Sequence, residues 1–104
     1  MRRILPSLVA AMLLASATVS TAAGDPEQGR IKGVPCMGCH GIPSYTNVYP
    51  TYHVPKLGGQ HADYIVAALK AYKAGDRSHK TMQAQAASLS EQDMADLAAF
   101  FSNY

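Results

Sequence analysis

The stretch "VPCMGCHGIP", residues 34–43, holds the only two cysteines of the chain, Cys36 and Cys39, with His40 directly after the second. Two thiols and an imidazole so close together admit four readings. A disulfide between Cys36 and Cys39 would close a very small loop and constrain the unfolded chain little, because the entropic gain grows with loop length. A thioredoxin-like redox pair belongs in a βαβ setting, and the chain carries no alternating β-branched runs to build one. A four-thiolate zinc site or an ordinary iron–sulfur cluster is excluded by the cysteine count. A Cys2His2 zinc site would have to recruit from His53, His61 and His79, which lie eight and eighteen residues apart, unlike the short repeat spacing of a structural zinc pair.

The fourth reading uses all three residues at once. C-x-x-C-H is the attachment signature of c-type haem. Each thiol forms a thioether with one vinyl group of the porphyrin, and the following histidine ligates the iron. One copy, Cys36-Met37-Gly38-Cys39-His40, implies one covalent haem c, held by Cys36 and Cys39 with His40 on the metal.

The N-terminus gives the compartment. Arg2 and Arg3 precede the apolar run Leu8–Ala15, and small residues ending in Thr21-Ala22-Ala23 follow. This is the pattern of a secretory signal, and the run is far short of the roughly 20 residues that span a bilayer. A signal peptide over residues 1–23, cut near Ala23, leaves one domain of 81 residues, 24–104. Export to the periplasm is expected, with no membrane span in the mature form. Two of the nine Lys and Arg residues lie in the leader, so seven basic and seven acidic residues balance in the rest. That balance leaves no electrostatic footprint for nucleic acid. A domain of this size is near the limit at which a core alone suffices, and a flat apolar cofactor would supply part of it.

An iron bound by His40 has one remaining axial position, where thioether sulfur raises the potential. Met37 sits inside the attachment loop and is barred from the opposite face. Met94 belongs to the stripe Met94, Leu97, Ala98, Phe101, spaced i, i+3, i+4, i+7, which faces a core. A Ser90…Asp93 capping box starts that helix. Met82 remains, in "RSHKTMQAQAASL", read as a segment between two helices. His79, three residues earlier, is the rival ligand, with His53 and His61 behind it.

Taken together, the chain resembles a class I c-type cytochrome of the small bacterial periplasmic kind. Four features carry the likeness: Gly29 seven residues before Cys36, "CMGCHG", "VPKLGGQHADYI" at 54–65, and Met82 followed by "LSEQDMADLAAFF". The resemblance implies an all-α fold: the small cytochrome c fold, three main helices plus loops around one haem. It implies that the Pro55 carbonyl accepts from Nδ1–H of His40, fixing the ring, and that the first helix crosses the last near Gly29.

The helices are expected at about Pro26–Lys32, at His61–Ala74 and after Ser90. The middle one has a stripe of Ile65, Ala68, Leu69 and Tyr72 and a stop at Gly75. Between His40 and Pro55, "GIPSYTNVYPTYHV" departs from the family's polar loop. Val48, Pro50 and Val54 fit no helix period, so it reads as an ordered loop without strands, whose Tyr45, Tyr49, Tyr52 and His53 either pack on the haem edge or donate to a propionate, or else cover a thin side of a small protein.

A six-coordinate haem leaves no open iron position for a substrate. The expected function is electron transfer, not catalysis: one haem c cycling between Fe(II) and Fe(III) with His/Met ligation, in a monomer that meets redox partner proteins. Lys56, Lys70, Lys73, Arg77 and Lys80 would steer an acidic partner if they share a face; solvated helix ends explain them equally, and Arg77 is alternatively a propionate holder. Two competitors keep the haem. One is a cytochrome subunit of a periplasmic oxidoreductase complex. The other is a sensor or small enzyme in which Met82 dissociates.

Overall fold

The computed structural model describes residues 23–104; the expected leader, apart from Ala23, lies outside the described residues. Five helices and one hairpin follow in chain order: α1 (Pro26–Lys32), α2 (Val34–His40), β1 (Thr46–Val48), β2 (Thr51–His53), α3 (Ala62–Ala74), α4 (Lys80–Ala87) and α5 (Glu91–Ser102). The three expected helices are α1, α3 and α5.

Each helix end has a local cause. Asp25 caps α1 by accepting from the backbone N–H of Glu27 and Gln28, and Pro26 takes the position where a missing N–H costs nothing. Gly75 ends α3 in the left-handed conformation, φ +82°, open to glycine without the steric cost a Cβ carries. The capping box of α5 is complete: Ser90 accepts from the N–H of Asp93, and the Asp93 carboxylate accepts from the N–H of Ser90.

The core forms where α5 meets α1 and α3. Met94, Leu97, Ala98 and Phe101 are buried, as their spacing predicts, with Ile65 of α3 clustered with the last three. Gly29 is the contact point of α1 on α5. A Cβ built there would lie 1.9 Å from the backbone oxygen of Asp96. The crossing is therefore as close as two backbones allow.

Asp96 lies at the same crossing, although nothing in the apolar periodicity marks it. It is 2 % exposed. Its carboxylate accepts from the Asp25 backbone N–H at 2.8 Å, from Lys32 Nζ at 2.5 Å and from Gln92 Nε2 at 2.8 Å. Lys32 also reaches Asp93 at 2.9 Å. These bonds to the ionised form outweigh burial and hold the Asp96 carboxyl down at about 2, the Asp25 N–H contributing most. A depressed carboxylate stabilises the fold fully above its unfolded pKa, and the contribution disappears as pH falls through the folded value. We therefore expect about 2 kcal/mol of stability to be lost between pH 5 and pH 2. Denaturant titrations across that range should show this, with a flatter profile in Asp96→Asn.

Two expectations are corrected. Residues 46–53 are not a strandless loop: β1 and β2 pair antiparallel, with Thr46 opposite His53, Asn47 opposite Tyr52 and Val48 opposite Thr51. No apolar alternation announces the strands, because polar bonds define the hairpin. Asn47 donates to the Pro50 carbonyl at 2.8 Å, Thr51 to the Val48 carbonyl at 2.8 Å, and Thr46 Oγ1 meets His53 Nδ1 at 3.1 Å. Met82, in turn, is not between helices but in the first turn of α4. That helix has one buried residue, Ala86, so it lacks the apolar stripe by which a helix is read from sequence.

Candidate functional site

Cys36 and Cys39 lie on α2, three residues apart and so on one face of the helix. Both are half-buried free thiols, and burial pushes the Cys36 thiol up. A disulfide is thus not part of the fold. His40 closes α2. Its Nδ1 lies 2.7 Å from the Pro55 carbonyl oxygen, so Nδ1 carries the proton and donates. That leaves Nε2 with its lone pair free, the state a metal requires of imidazole.

These residues open onto one cavity of about 500 Å³, within the roughly 300–1,000 Å³ range of cofactor sites. Cys36, Cys39 and His40 line it from α2, and Met82 lines it from α4. Leu57, Ile65, Leu69, Leu97 and Phe101 furnish apolar wall. Two cysteines, an imidazole with its Nδ1 committed and a thioether therefore share one largely apolar space. The donor set and the chemistry of the walls fit a haem.

The other sulfurs of the described residues are elsewhere. Met94 is buried at 1 % exposure in the core, and Met37 packs against that core; neither lines the cavity. Of the rival histidines, His53 and His79 do line it. His61 is the exposed residue preceding α3 and does not. Among the described residues, no three of His, Cys, Asp and Glu gather as metal ligands.

Of the five basic residues, Lys70 and Lys73 are engaged within the domain. Lys70 pairs with Glu91 at 3.6 Å, tying α3 to the start of α5, and Lys73 donates to the Leu89 carbonyl, tying α3 to the segment before that helix. Only Lys56 and Arg77 of the five line the cavity. The Arg77 guanidinium sits 4.9 Å from the Tyr72 ring centroid and 3.4 Å from the Tyr64 hydroxyl. Tyr52, one of the loop aromatics offered to the haem edge, does line the cavity, and sequence reasoning missed Tyr64 and Tyr72 as its wall. Tyr52 lies on a strand that apolar pattern does not reveal.

A family model, Cytochrome c, matches residues 34–104. The chain belongs to the cytochrome c family. Its relatives are small bacterial c-type cytochromes. It is 34 % identical over 103 residues to cytochrome c4 of Pseudomonas aeruginosa, covering 99 % of this chain and 49 % of that protein. It is 38 % identical over 84 residues to cytochrome c-554(548) of Halomonas halodenitrificans, covering 78 % of this chain and 98 % of that one. The solved structure of reduced recombinant cytochrome c4 from Pseudomonas stutzeri superposes with a TM-score of 0.58 at 26 % identity, over 81 % of this chain and 52 % of that one. The chain thus spans about half the length of the cytochrome c4 relatives. The family's cofactor is covalent haem c, and the cysteines at 36 and 39 accord with one such group. The α1 helix precedes the matched residues, yet its Gly29 seats directly on α5.

Proposed function

We propose that residues 24–104 form one electron-transfer domain of the periplasm. In it Cys36 and Cys39 carry haem c by thioethers, and His40 and Met82 are the axial ligands. The observation that supports this best is the meeting of all four side chains at one apolar cavity. Bound there, haem c supplies a one-electron couple between Fe(II) and Fe(III).

The chain's residues set the terms of that couple. Pro55 holds His40 in the Nδ1–H tautomer, which makes Nε2 a stronger donor. Leu57, Ile65, Leu69, Leu97 and Phe101 exclude water, and a dry pocket with sulfur ligation favours a raised potential. With His40 and Met82 both holding the iron there would be no vacancy for a substrate, which supports an electron carrier and not an enzyme. Arg2, Arg3 and the apolar run after them support export. Among the described residues, no helix is long and apolar enough to cross a membrane.

Carbon monoxide tests the closed site. Added to the reduced protein at neutral pH, it should bind slowly and incompletely; prompt, full binding would show an open iron and favour a sensor or enzyme.

A second reading, a permanent subunit of a periplasmic oxidoreductase complex, draws on the hairpin tip. Val48 is 60 % and Tyr49 93 % exposed there, a pair of large side chains available to a partner. Gel filtration of a native extract separates the two: a free carrier elutes at its monomer size.

A further inference from the structure

The first turn of α4 carries Met82 but buries no apolar side chain of its own. The one buried residue of the helix, Ala86, lies a turn further on. A helix of eight residues is well below the roughly 12–15 at which isolated helices become even marginal in water. Something else must hold its start. The residue preceding the helix is His79, an uncommon cap, and its Nδ1 accepts the backbone N–H of Met82 itself. At 3.4 Å that bond is long, so the imidazole needs a second support.

Tyr52, on β2 of the hairpin, supplies it. The Tyr52 and His79 rings meet edge to face, centroids 4.7 Å apart at 86°, a favourable aromatic arrangement. The Tyr52 hydroxyl also reaches Thr81 Oγ1 at 3.4 Å. The Tyr72 ring of α3 lies 6.4 Å from the imidazole, also edge to face. The ring thus meets an aromatic side chain from the hairpin and another from α3, and its nitrogen fixes the backbone of the residue that presents the sulfur.

We infer that Tyr52 and His79 form a latch that holds Met82 in place across the cavity, with His79 acting as a positioning residue and the hairpin as its buttress. The inference rests on Met82 being the distal ligand. The tyrosine-bearing segment then sets how readily the sulfur leaves the iron. The acceptor at Nδ1 is what matters at position 79, so a side chain that caps a helix without an imidazole should substitute. At position 52 the ring edge should matter more than the hydroxyl.

Four holoprotein variants test this: Met82→Ala, His79→Ala, His79→Asn and Tyr52→Leu. Two quantities are read in each, the sulfur-to-iron charge-transfer band of the oxidised protein and the rate of carbon monoxide uptake by the reduced protein. The latch predicts about fivefold faster uptake in His79→Ala, the effect of losing a helix cap, with a weakened band. It predicts near wild-type behaviour in His79→Asn and an acceleration in Tyr52→Leu. Unchanged band and uptake in His79→Ala and Tyr52→Leu overturn the latch, as does failure of Asn to restore what Ala loses. If the band survives in Met82→Ala, the ligand assignment itself is wrong and the latch falls with it. Should His79→Ala fail to fold, the comparison of His79→Asn with Tyr52→Leu decides.

Discussion

Replacing Met82 with alanine is expected to lower the midpoint potential by on the order of a tenth of a volt, within the roughly 0.8 V that axial ligation spans. The same change should let carbon monoxide bind the reduced protein promptly. The thioether stabilises the reduced iron relative to a harder ligand, so its loss moves the couple down. Alanine offers no donor, and the site opens to water or to added ligands. Three neighbouring features isolate the effect. Met82 is half-buried and lines the cavity, Met94 is locked in the core, and Met37 packs outside the cavity. Among the described residues, no second methionine lines the cavity to replace it. His79 and His53 also line the cavity, and capture of the iron by either would appear as a low-potential form that stays closed to carbon monoxide. An unaltered potential would show that the sulfur never touched the iron.

Replacing Gly29 with alanine should be strongly destabilising. The new Cβ would stand 1.9 Å from the Asp96 oxygen, 2.6 Å from its carbonyl carbon and 2.7 Å from Phe100 Cβ. Two of those atoms are backbone, so no rotamer change relieves the clash, and α1 must lift from α5. Overpacking of this kind costs about 3 kcal/mol or more. Lifting α1 would also pull Asp25 and Lys32 from the buried Asp96 carboxylate. For a domain of this length the melting temperature should fall by roughly 10–20 °C, or the protein should fail to accumulate. Gly38→Ala is the control. A Cβ there meets nothing within 4 Å, and an exposed helical glycine gains up to about 1 kcal/mol from alanine. Equal melting temperatures for the two variants would contradict the close crossing.

How far these features could be read in advance depends on what marks them. The stripe of α5 and its Ser90 box rest on strong local rules, periodicity and capping, and both are realised residue by residue. Gly75 was legible because glycine readily takes the left-handed stop of a helix, and the crossing at Gly29 was expected from the family resemblance, which places a small residue there. The hairpin was not legible. Its strands are three residues long, and Thr46, Asn47 and Thr51 hold it by side-chain bonds instead of by an apolar face. The first turn of α4 was hidden for the same reason: its anchor is an imidazole cap and an aromatic contact between residues 52 and 79, far apart in the chain. Asp96 entered the sequence reading only in the count of acidic residues. Only the meeting of Asp25, Lys32 and Gln92 around it turns it into a buried tie between α1 and α5. The meeting of Cys36, Cys39, His40 and Met82 at one cavity needed the fold, although the first three announce their chemistry by spacing alone.

The attachment of haem at Cys36 and Cys39 is the claim on which the rest depends, and peptide mass mapping of the purified protein tests it directly. Trypsin should release the segment of residues 33–56, between Lys32 and Lys56, as one peptide. That peptide should carry the mass of one haem under denaturing conditions and have no thiol to alkylate. A peptide of plain mass with two alkylatable cysteines would contradict covalent attachment, and with it the haem site.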